Sequence, residues 1–345
     1  MRRVSINANV LAGLLALLMG GCTVTPPDDT KAQPRLVWPT PPAQARIAYV
    51  RSFSKAEDLG IGRGFWQWLS NVFTGGQEIH LIRPMAVVVC ADKTIYVADP
   101  GAKGVHRFDQ VHGEYQFITR ADERILPSPV GLAPGPDNSV YVVDSELAQL
   151  FQIQAGKDIA TPLFPKLKLS QPTGIAYDAA RRRLYVADTA QHHIVMLSSA
   201  GEVLKTFGRR GSGDGEFNFP TYLWLDAHHR LFVTDSLNFR IQIFDQNGNF
   251  VGKFGQYGDG SGDMARPKGV ALDRDGHIYV MDGLFHALQI FDEQGNLLLP
   301  VGQRGTGPGE FYLPTGIFID GSNRIYIADS HNQRVQILRY LGERP

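Results

Sequence analysis

Ile95–Asp99 reads Ile-Tyr-Val-Ala-Asp, and variants of this pentad return ending at Asp144 (VYVVD), Asp188 (LYVAD), Asp235 (LFVTD), Asp282 (IYVMD) and Asp329 (IYIAD). The aspartates are 45, 44, 47, 47 and 47 residues apart. A second marker, the prolines Pro84, Pro129, Pro172, Pro220, Pro267 and Pro314, keeps nearly the same beat at 45, 43, 48, 47 and 47. Two markers in phase identify six copies of one unit.

The unit beginning at Pro267 contains KGVALD, a turn at residues 274–277, IYVMD, a loop, ALQIFD ending at Asp292, the turn EQGN and LLLPV. These are four short segments rich in β-branched and aromatic residues and bounded by Gly, Asn and Asp, the composition of strands. Asp275-Gly276, Asn247-Gly248 and Gln294-Gly295 supply residues that tolerate positive φ at hairpin bends. A four-stranded meander of this length cannot bury both faces alone, so neighbouring units must stack face to face. The period predicts an all-β, six-bladed β-propeller of four-stranded antiparallel blades.

Closure is also readable. The last unit supplies three strands and the sequence ends at Pro345 without an outermost one, while an orphan strand, RIAYVRSF, stands at residues 46–53 ahead of the first unit. We expect it to complete the sixth blade and leave the ring no long unpaired edge. The domain then covers residues 46–345, with repeats at 84–340 and an apolar insertion at 64–73.

Arg2 and Arg3 precede an apolar run from Val10 to Met19, followed by Gly20, Gly21 and Cys22. The run is about half the length that spans a bilayer, so residues 1–21 read as a signal peptide rather than a permanent membrane helix. Residues 22–45 hold six prolines between Pro26 and Pro42 and read as a tether. In extended polyproline geometry, at about 3.1 Å per residue, it would reach roughly 60 Å. Cys22 and Cys90 are the two cysteines, and Cys90, in MAVVVC, is expected to be a buried free thiol. Lys+Arg and Asp+Glu both total 34, and loss of Arg2 and Arg3 leaves 32 against 34. Near-neutrality argues against nucleic-acid binding, which needs a concentrated basic face.

The segment FPTYLWLD, LFVTDSLNFRIQIFD, NGNFVGKFG, preceded by GSGDGEF, strongly resembles the NHL repeat. The resemblance covers residues 84–340 and is loosest in the second unit, where SELAQLFQI replaces the usual pattern after the aspartate. LLMGGC resembles the bacterial lipobox, with Met19 where Leu is usual, and implies a lipidated Cys22. Together with the Pro-rich tether, RIAYVRSF and the DLG at residues 58–60, it makes the chain similar to bacterial NHL-repeat lipoproteins. By that resemblance Thr23, rather than Asp, after the cysteine favours sorting to the outer membrane, facing the periplasm. NHL propellers include RNA binders, sensor domains, protein-binding modules and a few lyases, so the family leaves the function open.

In a blade that begins with its innermost strand, the loops after the second and fourth strands emerge on one face, where binding residues are expected. The six aspartates, repeated once per blade, read as acceptors of backbone hydrogen bonds rather than as a metal site. His192-His193 and His228-His229 cannot readily chelate one ion, because adjacent strand residues point to opposite faces. His286 and His331 remain candidates on the long-loop face. Residues after the marker prolines, namely Met85, Val130, Thr173, Thr221, Lys268 and Thr315, should ring the channel mouth, and none is a carboxylate or imidazole. Arg210, Arg240, Arg266, Lys268, Arg304 and Arg334 fall in or beside the long loops and could form a basic patch, although Arg240 and Arg334 hold a repeat position that also suits a structural bridge. In GFWQWLSNVF, at residues 64–73, Trp66 and Phe73 belong to one apolar helical face, which fits either a lid or a partner-docking element.

The expectation is a lipid-anchored, non-catalytic envelope scaffold that binds a protein or envelope polymer through the long-loop face, without cofactor or metal and as a monomer. The alternative is a propeller lyase or lactonase with a divalent metal at the channel mouth.

Overall fold

The computed structural model describes residues 36–62 and 79–342. Cys22, the signal peptide, most of the tether and the 64–73 insertion with Trp66 and Phe73 lie outside the described residues. The protein is an all-β, six-bladed propeller whose sheets follow chain order from the inside out. Blade 4 is representative, with Pro220–Leu225, Leu231–Asp235, Arg240–Phe244 and Phe250–Phe254 paired antiparallel.

Hydrophobic pattern follows position in the blade. Second strands such as Ile95–Asp99 and Ile278–Asp282 are buried at every residue, because neighbouring blades cover both faces. The outer strand Phe250–Phe254 alternates instead, since one of its faces meets solvent. The core accordingly lies between blades: Phe232 and Ile241 of blade 4 pack with Val270, Leu272 and Val280 of blade 5. At the rim, Phe207 and Phe254 end the outer strands of blades 3 and 4 and Phe164 directly follows that of blade 2, each lying against a positive-φ glycine of the next blade, Gly248, Gly295 and Gly201 respectively. A side chain at Gly248 would put its Cβ 2.8 Å from the Phe207 ring.

The ring closes as expected. Ile47–Phe53 pairs antiparallel with Arg334–Tyr340, from Ile47 opposite Tyr340 to Phe53 opposite Val335. Phe53 then stacks edge-on against Phe108 of blade 1, with ring centroids 5.2 Å apart.

Two short additions depart from the four-strand plan. Val37–Trp38 pairs with Ala48 and Ile47 as a fifth strand of blade 6, so the Pro-rich stretch is not a free tether up to residue 45. Its Trp38 ring lies against Gly309, where apolar contact outweighs the freedom of an extended chain. Blade 2 gains a hairpin, Arg120–Ala121 with Arg124–Ile125, joined to its outer strand through Ala121 and Ala160. Cys90 is buried, and burial pushes its thiol up to about 12.

Candidate binding face

The marker aspartates fix the long-loop face. Each ends a second strand, is at most 1 % exposed, and accepts backbone N–H groups from residues just ahead of the marker proline. Asp99 accepts from Ile82 (2.6 Å) and Arg83 (2.9 Å), Asp235 from Asn218 (2.7 Å) and Asp329 from Tyr312 (2.8 Å). Asp282 accepts from four amides, those of Ala265, Arg266, Leu284 and Phe285. These carboxylates tie each second strand to its inter-blade loop.

Arg240 and Arg334 belong to the same framework. Arg240 donates Nε to Asp235 and its Nη atoms to the carbonyls of Ser212, Gly213 and Glu216, at 2.8 to 2.9 Å. Arg334 repeats the set with Asp329, Thr306, Gly307 and Glu310. Both guanidinium groups are occupied inside the chain. The remaining cations of the predicted patch differ: Arg210, Arg266 and Arg304 are exposed and form no ion pair with described residues. Arg304 lies over the Tyr312 ring at 5.2 Å.

The histidines divide in the same way. His286 sits at a left-handed position, φ 55°, and its Nδ1 accepts the Leu313 amide at 3.0 Å, bridging blades 5 and 6. The neutral ring therefore carries its proton on Nε2. Burial, helped by nearby Arg304, holds His286 below its ordinary range. His192 makes the same bridge to the Phe219 amide at 3.1 Å, whereas His193 lies 3.9 Å from Asp188 and His229 lies 3.1 Å from Asp178. His331 is exposed and packs edge-on against Tyr312 at 5.4 Å. The structure thus gathers His286, His331 and Arg304 around Tyr312, a residue the sequence did not single out.

At the mouth, hydroxyl pairs join the first and second strands. Thr173 meets Thr189 and Thr221 meets Ser236, both at 2.7 Å, and Thr189 and Ser236 also donate to the carbonyls of Pro220 and Pro267 in the following blade. Thr315 donates to the carbonyls of Pro84 and Met85. Blade 5 departs from this pattern, with Lys268 in the threonine slot and Gly283 in the serine slot. Lys268 is partly buried, and burial, reinforced by Arg266, pulls its ammonium down to about 8.

A second departure closes the channel. Gly131, Gly174, Gly269 and Gly316 stand two residues after their marker prolines because the next inner strand comes too close for a side chain. A Cβ on Gly174 would lie 2.1 Å from the Thr221 carbonyl oxygen. In blade 4 that slot holds Tyr222, whose hydroxyl crosses to donate to the Met85 carbonyl of blade 1 at 2.9 Å. A cavity of about 160 Å³ in the channel is lined by Tyr222, Leu132, Ile175, Trp224, Ile317 and Phe318, among others. The sequence signal was PTY where three other units read PTG or PKG.

Large apolar side chains are exposed on the same face: Leu237 (47 %), Leu284 (52 %) and Tyr257 (73 %) in the loops of blades 4 and 5. Leu237 and Leu284 share one repeat position, where blades 1 to 3 carry Gly101, Glu146 and Ala190. Among the described residues no group of three His, Cys, Asp or Glu is placed to hold a metal ion.

A family model described as a 6-bladed beta-propeller, DUF5128, matches residues 225–283 and 270–341. No curated protein matches the chain in sequence. Among solved structures, a streptogramin B lyase superposes with a TM-score of 0.57 at 12 % identity, covering 77 % of this chain and 84 % of its own. A virginiamycin B lyase from Staphylococcus aureus with quinupristin gives 0.55 at 13 % identity, covering 75 % and 95 %. A gluconolactonase from Xanthomonas campestris gives 0.58 at 15 % identity, covering 75 % and 86 %. The fold is shared. At these identities the likeness extends to the fold alone.

Proposed function

We propose that the chain is an NHL-type, lipid-anchored scaffold of the bacterial envelope that binds a partner protein through the long-loop face of blades 4 to 6, without catalysing a reaction. Cys22 would carry the lipid, and the outer membrane facing the periplasm is the expected location. The observation that carries the reading is the juxtaposition of exposed Leu237, Leu284 and Tyr257 with the unpaired cations Arg210, Arg266 and Arg304 on one face. Apolar residues with cations at their edge suit a protein surface more than a hydrophilic polymer. A metal-dependent lyase or lactonase needs carboxylates or imidazoles converging at the mouth. There the chain places threonine hydroxyls, Lys268 and Tyr222, and its buried aspartates are engaged by backbone amides.

The test is cross-linking in intact envelopes, followed by purification of the lipidated protein in detergent. Leu237→Ser/Leu284→Ser should lose the partner cross-linked by wild type, at an unchanged melting temperature. Cys22→Ala should leave the membrane fraction. Retention of the same partner by the leucine variant would refute the loop-face reading.

A further inference from the structure

We infer that Lys268 and Arg266 form a carboxylate-binding subsite beside the channel mouth, which takes an acidic side chain of a partner peptide segment while neighbouring apolar residues of that segment cover Leu284 and Leu237. The inference rests on the loop-face reading above and specifies the chemistry of its partner.

The first support is the paired departure from the repeat. In blades 3 and 4 the slots of Lys268 and Gly283 hold hydroxyl residues bonded to each other and onward to the next blade's proline carbonyl. Blade 5 gives up both bonds. A Cβ on Gly283 would make ordinary contact with Lys268 Cγ at 3.5 Å and crowd the Pro314 carbonyl oxygen at 3.2 Å, so the lysine stem lies directly beside the glycine. Two changes that fit each other and remove structural bonds are explained by what the lysine does.

The second support is the missing counter-charge. The Lys268 ammonium forms no hydrogen bond or ion pair with the described residues, and the carboxylate that acts on it, Asp282, is fully buried and engaged by four backbone amides. Arg266 immediately precedes the same strand, its carbonyl accepts the Gly283 amide at 3.0 Å, and its side chain is exposed. Two cations held near each other repel, and a ligand carboxylate relieves that repulsion through charge-assisted hydrogen bonds. A partly desolvated ammonium binds an anion more strongly than one in bulk water.

The third is the setting. Leu284 follows Gly283 directly and Leu237 holds the matching position one blade away, both exposed. A surface that carries cations and exposed leucines together suits an acidic peptide with aliphatic residues. An anionic polysaccharide would leave the leucines uncovered.

The test uses full-length protein in detergent and two labelled synthetic peptides, one alternating leucine and aspartate and the other with asparagine for aspartate, read by fluorescence anisotropy. Wild type should prefer the aspartate peptide by about 10-fold, a ratio that shrinks as salt rises. Lys268→Thr/Gly283→Ser, which restores the blade 4 pattern, should melt at or above wild type and bring the ratio close to one. Leu237→Ser/Leu284→Ser should weaken both peptides and preserve the ratio. Equal binding of the two peptides by wild type, an unchanged ratio in Lys268→Thr/Gly283→Ser, or binding of phosphorylated lipopolysaccharide with neither peptide bound would each overturn the subsite. If the leucine variant changes neither the peptides nor the envelope cross-link, the loop-face reading itself fails.

Discussion

Arg240 and Lys268 occupy one face and carry one charge, yet the first is a clamp and the ammonium of the second has no partner among the described residues. Sequence spacing placed both in a basic patch; what separates them is the direction of the loop carbonyls, which depends on how the GSGDGEF loop folds back over its blade. Arg240 makes four bonds through a planar fork that lysine cannot reproduce. Arg240→Lys should therefore lower stability by about 2–3 kcal/mol, read by urea unfolding, because Asp235 and three carbonyls lose a donor. Lys268 should behave oppositely. Its folded-state pKa of about 8 lies below the roughly 10.4 of an unfolded chain, so between these values the unfolded state holds more protons and stability rises with pH. Lys268→Met, which does not titrate, should melt higher than wild type by about 2 °C at pH 7, an advantage that fades toward pH 10.5. An equal gain at both pH values would show that packing, not charge, sets the difference.

Strands were legible where they recur. The pentad ending in aspartate fixes every second strand, and the marker proline fixes every first one. Val37–Trp38 and the hairpin at Arg120–Ile125 escaped because two-residue strands carry no period and exist by pairing with an available edge. Tyr222 was visible as an odd letter, but its reach to Met85, 137 residues away, follows from ring closure and not from local pattern. Substitution inside a repeated element can also be read for strain. In the third strands, Gln242 and Gln336 donate to Asp235 and Asp329 at 3.0 Å, while blade 1 places His106 in that slot. His106 Nδ1 meets the Tyr115 hydroxyl at 2.9 Å, but Nε2 stops 3.6 Å from Asp99, too far for a hydrogen bond. Burial, opposed by Asp99, holds this imidazole below its ordinary range. The unfolded chain then binds the proton better, so His106 costs stability as pH falls below about 6.5. His106→Gln should stabilise the domain by about 1 kcal/mol at pH 7, and by more at pH 5.5 in urea titrations. A constant difference across that range would mean the histidine is not charging.

For the whole molecule, stability depends on one seam. Each blade is bonded internally by consecutive strands, but blade 6 takes its fourth strand from the other end of the chain, so closure links residues 47–53 to 334–340. Phe53 and Ile47 are buried at that seam, Phe53 against Phe108 of blade 1 and Ile47 in the cluster with Leu288 and Leu338. Truncations should grade accordingly. Removing residues 23–35, outside the described part of the chain, should leave urea unfolding unchanged. Extending the deletion to residue 44 removes the Trp38 contact with Gly309 and should cost a modest amount, about 1–2 kcal/mol for one partly buried aromatic residue. Removing residues through 53 exposes the edge of Arg334–Tyr340 and uncovers blade 1, and should abolish cooperative unfolding rather than shift its midpoint. Phe53→Ala provides the milder version: about 3–5 kcal/mol lost through a cavity at the seam, with the transition still cooperative. Identical unfolding curves for the two longer deletions would place the seam elsewhere, and would mean that the propeller holds its ring with five complete blades and an open sixth.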